Sequence, residues 1–393
     1  MFGEDDQAAV VDWLAPIIDK ERLRARKPDD VGPFNRTVGL VVANALSGGT
    51  HGVHYSRRPE TYSGASPYKP AWLGSTHLLG VINGLAKEGL VEAAVGRWDG
   101  PFSLGLQSAF SATHALVEGL DARNIGLEAV RRDTVNAPVI VLKDENKRRI
   151  CYDPRGEWIA QRIGELRAYN AFIEDQDIFL PGHGTPRFCS LTRIYNDGSW
   201  KRGGRHYQGW WQNIGPAERL GILINGQGVI ELDFGGFMTR ALYHLSGLDF
   251  QGDPYDVPEV RGLFEGAGLD WLKEGRPIVK DAINVLLNVS SRHAIYKMRD
   301  QFPDQRVPLK HIVPRIIEYH KPIGDSFFKV VSPRIMNIES NICSDIILTG
   351  MSDGVVILPI VDSFITDEKN NDYLRGLMYS SYRRELRFEP LIH

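Results

Sequence analysis

The fold class expected from the sequence is α+β, and three stretches carry that expectation. LGILINGQGVIELDF reads as two strands joined at Gly226-Gln227-Gly228, after which the chain turns into a helix beginning near Gly236. RPIVKDAINVLLN reads as a helix on which Arg276, Lys280, Asn284 and Asn288 share one face, being four residues apart. ILPIVDSFIT reads as an apolar strand interrupted by Asp362 and Ser363. An acid inside such a strand is costly to bury unless it is paired or on a metal.

At 393 residues the chain has room for two or three domains and a large core. Its 46 basic and 49 acidic residues give no overall attraction to nucleic acid, so any DNA-binding face must be local. Cys151, Cys189 and Cys343 are scattered without metal-ligand spacing, which fits a reducing cytoplasm better than a disulfide framework. The acidic start MFGEDDQ does not read as a signal peptide, and no run reaches transmembrane length. The expectation is therefore cytoplasmic, with no membrane partner.

Residues 8–26 read as an amphipathic helix with Val10, Val11, Trp13, Leu14 and Ile17 on its apolar face. Its end, KERLRARK, is a basic last turn complementing the helix dipole, or alternatively a nucleic-acid arm. Pro28 and Pro33 then break the chain, before the helix-like run TVGLVVANAL and a polar segment rich in Gly, Ser, Tyr and Arg. STHLLGVINGLAKEGL is a clear helix that Ser75 or Thr76 can cap and Gly89 stops. LVEAAVGRWDGPFSLGLQSAF follows as two short strands around a Gly-Arg-Trp-Asp-Gly turn, then the helical SATHALVEGL. This order, over residues 1–120, resembles a winged-helix DNA-binding domain. The resemblance implies His77 and Asn83 on the recognition helix and Arg97 at the wing tip, within reach of phosphate or the minor groove, with Arg57 and Arg58 as further contacts. The alternative is a helical domain that only packs against a neighbour.

Residues 121–186 hold a polar connector, a strand-like APVIVLK and the charged turn KDENKRR. A long helix, PRGEWIAQRIGELRAYNAFIED, follows, with Pro154 near its start and Trp158, Ile159, Ile163, Leu166 and Tyr169 on its apolar stripe. Arg155, Arg162 and Arg167 on it could face phosphates or solvent equally well. PGHGTPR is a loop.

From residue 187 to 393 the acids and cations gather. RFCSLTRIYND reads as a strand, and GSWKRGGRHYQGWWQN interleaves basic side chains with Trp and Tyr, which could stack bases and hold phosphate or could be a sheet edge with core Trp. Asp233 stands where a strand ends and a helix begins, so a rigid element would project it into a cleft where a carboxylate can hold a metal. Two strand-borne acids and a cationic helix are what phosphoryl transfer needs, because metals bridge the triphosphate and the attacking oxygen while cations neutralise the leaving group. His293, His311 and His320 lack ligand spacing.

The order of these stretches resembles the palm and fingers of family A DNA polymerases, whose superfamily also holds the single-subunit phage and mitochondrial RNA polymerases. GGRHYQGWWQNIGPAERLGILING is similar to the family's glycine-arginine segment, QNIP stretch and strand. DFGGFMTR, residues 233–240, aligns with motif A, DYSQIELR; Arg276 and Lys280 match the arginine and lysine of motif B. Asp362 matches the aspartate of motif C, and NIESNICSD resembles the helix before it. Val361 departs from the family's histidine. Asn284 and Asn288 depart from an aromatic or methionine and a tyrosine. Met238 departs from the glutamate of the DNA enzymes and the glycine of the RNA enzymes.

The resemblance implies a palm with helical fingers inserted at about residues 250–330, preceded over residues 121–186 by a connector and reduced thumb. It implies template-directed transfer of nucleotides to a primer 3′-OH, by a DNA polymerase active in DNA replication. Asp233, Asp362 and the Phe234 carbonyl would hold two Mg²⁺ ions, with Mn²⁺ as a substitute. Arg276 and Lys280 would bind the triphosphate, Lys280 also protonating the pyrophosphate. Asn284, Asn288 and Met238 would face the rest of the dNTP. Arg205, Gln212, Arg240 and Glu339 would touch the primer–template duplex. No paired acids suggest a proofreading exonuclease. Two other readings stay open: an RNA polymerase or primase using NTPs, and a non-catalytic DNA-binding replication or regulatory protein with a retained palm.

Overall fold

The computed structural model describes residues 1–20, 22–48, 52–63, 70, 72–97, 106–130, 138–182, 189–291, 293 and 306–393. The fold is α+β, and the chain forms two compact units. The first is built on Met1–Pro138 with Cys151–Gly156; the second on Val139–Ile150, Glu157–Pro181 and Cys189–His393.

In the first unit, helices α1 (Glu4–Ile18), α2 (Pro28–Ser47) and α3 (Ser75–Lys87) pack on one another. Strands β1 (Val53–Tyr55), β2 (Val91–Ala94) and β3 (Ser108–Ala112) form an antiparallel sheet in the order β1-β3-β2, followed by α4 (His114–Asp121). Val10, Leu14, Val38, Val42, Val81, Ile82, Leu85 and Leu116 are its fully buried centre. The first helix ends at Ile18 with no basic residue in its last turn, so the basic run lies beyond it. Arg26 of that run pairs with Asp19 and lies over the Phe34 ring. Pro28 starts α2, where its missing N–H is one of the unpartnered ones anyway, and Pro33 lies inside the helix, which continues through it without the bond its N–H would make to the Asp29 carbonyl. The cap of α3 is Gly74, not Ser75 or Thr76. β1 arises inside the polar segment, its three residues too few to show alternation. Most of the expected wing turn, residues 98–105, and all but the first two residues of PGHGTPR lie outside the described residues.

The second unit holds two sheets. Strands β4 (Ile140–Leu142), β6 (Thr192–Asn196) and β7 (Ser199–Tyr207) run in the order β4-β6-β7. Helix α5 (Glu157–Glu174) is tied to this unit through buried bonds, Tyr169 Oη donating to the Ile357 carbonyl (2.6 Å) and Asn170 bonding both ways with Leu191. Trp158, expected on its apolar stripe, is 42% exposed and packs against Trp200 at the surface. Pro154 lies three residues ahead of the helix rather than in its first turn.

The other sheet is β10-β11-β9-β8-β5, from β5 (Ile178–Phe179), β8 (Leu223–Ile224), β9 (Gln227–Asp233), β10 (Leu358–Ile360) and β11 (Ser363–Asp367). The β8–β9 turn is Asn225-Gly226, both at positive φ (51° and 77°), one residue earlier than expected. Asp362 is not inside a strand. It occupies, with Val361, the two-residue turn between β10 and β11. Between the sheet strands run α6 (Pro216–Arg219), α7 (Phe237–Leu245), α8 (Pro258–Gly266), α9 (Arg276–Asn288), α10 (Leu309–Tyr319) and α11 (Ser332–Ser352), with α12 (Asn371–Leu386) last. α11 packs on β7, and α12 on β9 and β11.

Candidate active site

Asp233 is the last residue of β9, and its neighbour across the sheet is Ser363, the first of β11. Asp362 immediately precedes Ser363, and its carbonyl accepts the Phe234 amide (3.1 Å), so the two acids stand at adjacent strand ends. On the other side Asp233 exchanges backbone bonds with His393 (3.2 and 3.0 Å). Val361 adopts φ 57°, an unfavourable region for a β-branched residue, which the pairing on both sides enforces. Gly236, at φ 64°, turns the chain from Asp233 into α7. Backbone bonding therefore fixes the strand ends from which both carboxylates leave the chain.

They lie on a cavity of about 800 Å³ that is also lined by Arg205, Met238, Asp253, Tyr255, Arg276, Lys280, Asn284, Asn288 and His393. Burial, with the Asp362 charge next, pushes the Asp233 carboxyl up to about 7 against the pull of Lys280. Burial likewise raises Asp362. Both shifts mean that the ionised carboxylates are disfavoured there, a cost that a proton or a bound cation would relieve. Among the described residues no group of three or more His, Cys, Asp or Glu side chains forms a metal site. The donors present are hard oxygens: two carboxylates and the Phe234 carbonyl. That set suits Mg²⁺, which binds through one or two carboxylates and completes its shell with water and substrate phosphate.

The cationic wall is α9. Arg276, Lys280, Asn284 and Asn288 all line the cavity, as their spacing predicts. Arg276 and Lys280 sit over the same ring, that of Tyr255, at 5.3 and 5.9 Å from its centroid. Burial pushes that phenol up to about 12, so it is neutral beneath them. Arg276 Nε also donates to Asp253 (2.5 Å), and Asn288 is bonded to the Asn284 carbonyl.

Other expected site residues are engaged elsewhere. Arg240, expected on nucleic acid, is 6% exposed and donates to the carbonyls of Gly235, Phe250 and Gly252. It clamps the loop that carries Asp253 and Tyr255. Gln212 donates to the His206 and Pro359 carbonyls, and Trp211, wholly buried, donates to the same Pro359 oxygen. Trp210 and Trp211 are therefore core side chains and not stacking platforms. Glu339 is 2% exposed and holds Arg205 by both oxygens (2.9 and 2.6 Å), so it does not reach a duplex. His320 is buried between Tyr243 and the Pro254 carbonyl, a packing role. Arg97 belongs to the first unit, exposed after β2. Sequence reading missed Asp253, Tyr255 and His393; the first two sit in what read as a plain loop, and nothing local marks the third.

No family model and no curated protein matches the chain. Among solved structures, the POL domain of Pol1 from M. smegmatis, in complex with DNA primer-template and dNTP, matches at 12% identity and a TM-score of 0.34, over 70% of this chain. The chain spans 62% of that structure's length. A likeness of that depth decides neither fold nor activity.

Proposed function

We propose that the protein is a template-directed nucleotidyltransferase, a DNA polymerase that extends a primer 3′-OH. The observation that carries the reading is the cavity itself: two half-buried carboxylates at adjacent strand ends, faced by two cations from one helix. Asp233 and Asp362, with the Phe234 carbonyl, would hold two Mg²⁺ ions, or Mn²⁺ in their place. Bound there, the metals would supply Lewis acidity to the 3′-hydroxyl and the triphosphate. Arg276 and Lys280 bind the phosphates, and the ammonium of Lys280 is placed to give a proton to departing pyrophosphate. Tyr255 orients both cations by presenting its ring face beneath them. Asp253 holds Arg276 in a fixed rotamer until phosphate competes for it. Met238, on the first turn of α7, faces the sugar, and Asn284 offers its amide one helical turn beyond Lys280.

In this reading α8, α9 and α10 are the fingers and the β9–β11 sheet is the palm. The first unit is a winged-helix module binding duplex DNA. Its β1-β3-β2 order, with α3 between β1 and β2, supports that assignment.

Incubating the full chain with a primed template, Mg²⁺ and either dNTPs or NTPs tests the proposal. Primer extension with dNTPs that disappears in D233N and D362N is expected. Extension with NTPs alone would move the assignment to RNA synthesis, and none with either set, while duplex binding persists, would leave a non-catalytic DNA-binding protein.

A further inference from the structure

Arg205 is an arginine beside the two acids proposed to hold metal. It lies on β7, lines the same cavity as Asp233 and Asp362, and keeps 18% of its side chain exposed. Its charge acts on Asp362, opposing the effect of burial there. A guanidinium beside a half-buried carboxylate has an obvious resting place, the bidentate pair, whose two parallel bonds would occupy the oxygens a cation needs.

The structure places a competitor for it. Glu339 reaches from α11 and takes both Nε and Nη2 of Arg205, one on each oxygen. At 2% exposure this carboxylate has no solvent to turn to, and burying it unpaired is expensive, so the pair is fixed from the Glu339 side. The residues flanking it lock the register. Asn337 donates to the Trp200 and Gly203 carbonyls, Ser340 bonds Gly203, and buried Arg193 bonds Ser340 and Asn341. Gly204, at φ 93°, allows this close approach, since a Cβ there would lie 2.9 Å from Ser340 Oγ.

We propose that Glu339 is a positioning residue whose pairing with Arg205 keeps that cation off Asp362 and so leaves Asp362 available to a divalent metal. The inference rests on the nucleotidyltransferase reading of the cavity. Glu339 touches neither substrate nor metal; it acts through Arg205.

The test is Mn²⁺ binding to the full chain, read from the loss of the free-ion electron paramagnetic resonance signal, with primer extension measured in parallel. E339Q is expected to weaken Mn²⁺ binding about tenfold, the range seen when a partner behind a metal ligand is removed. The Mg²⁺ concentration for half-maximal extension should rise in step, more than KM for dNTP does. In R205Q/E339Q the competing cation is gone, so Mn²⁺ affinity should return to near the wild-type value even where turnover stays low. A merely structural role would not produce that recovery. Equal Mn²⁺ binding by wild type and E339Q, or no recovery in the double variant, overturns the inference alone. If E339Q loses its cooperative melt, E339D, which keeps the charge, is read instead: retained affinity is expected and lost affinity overturns the inference. Binding absent from wild type, or unaffected by D233N and D362N, overturns the metal-site reading and this inference with it.

Discussion

Among the described residues, the buried polar side chains of the first unit are Thr37 and Ser108, neither of them charged. The second unit buries Arg193, His206, Arg240, His244, His320, Glu339 and Asp367. The first is an apolar core wrapped in surface charge, an arrangement that stabilises a fold and asks nothing of electrostatics. The second retains groups that burial disfavours unless each has a partner. Those partners are specific: Arg240 has three carbonyls, Arg205 has Glu339, His320 has Tyr243 and Pro254. Asp233 and Asp362, half-buried on the cavity, are held differently: Arg205 and Arg276 pair with Glu339 and Asp253 instead, and Lys280 and Arg205 act on the two acids through charge alone. Charge held without a matched counter-charge is where chemistry is expected, and that contrast can be broken experimentally.

The largest effect should come from the unpaired acids. Asp233→Asn or Asp362→Asn is expected to lower primer extension by about 10³-fold or more, with the double variant little worse, because the two act as one unit. Stability should move the opposite way. The folded chain keeps the Asp233 proton up to about pH 7 while the unfolded chain releases it near 4, so metal-free stability falls as pH rises across that window. Asp233→Asn should flatten that decline, as thermal melts at pH 5 and pH 8 would reveal. A variant that melts earlier than wild type at pH 8 without metal would contradict the idea that this acid is held at a cost.

Next in size is the sugar. Met238 fills space without a strong hydrogen bond, so wild type should prefer dNTPs by about 100-fold, the scale of a small steric mismatch. Met238→Gly should reduce that preference, scored as the ratio of kcat/KM for matched dNTP and NTP. An unchanged ratio would remove this residue from the substrate site.

Histidine burial offers a comparable free energy by a different route. Burial lowers His320 to about 4, so between that value and the usual 6.5 the unfolded chain binds the extra proton. Stability is therefore full above pH 6.5 and declines as pH falls toward 4, by about 3 kcal/mol at most. His206 and His244 are lowered by burial too and act in the same direction. Urea midpoints measured from pH 7 to pH 4.5 should fall, and replacing His320 by Gln should shallow the slope while lowering the pH 7 value.

The smallest effect belongs to the first unit. Arg57, bonded to Tyr55 and Asn83, is joined by exposed Arg58 and Arg97 in the expected duplex contact. Replacing all three by Ala in the full chain should weaken duplex binding about tenfold and reduce the salt slope by about one per lost phosphate contact. Binding that is unchanged would assign this apolar-cored unit to protein contacts.

The sequence by itself determined the α+β class, the strand that delivers Asp233, and the face of α9 that carries Arg276, Lys280, Asn284 and Asn288. Those are local properties: alternation and the four-residue helical repeat act between near neighbours in the chain, so they can be read there. It did not reveal that Asp362 sits in a turn, because an apolar run on both sides hides a two-residue hairpin held by Val361 at positive φ. Nor did it separate Arg205 from Arg240, both expected on the duplex, or show that Glu339 is taken up by a buried ion pair. What long-range packing sets against each of them decides the matter. Arg240 meets carbonyls of a loop ten and twelve residues on, while Arg205 meets a carboxylate more than a hundred residues away. A charge declares its type in the sequence. Whether it is engaged or available depends on partners that only tertiary structure brings within hydrogen-bond reach, because desolvation and pairing are set by everything that surrounds the group.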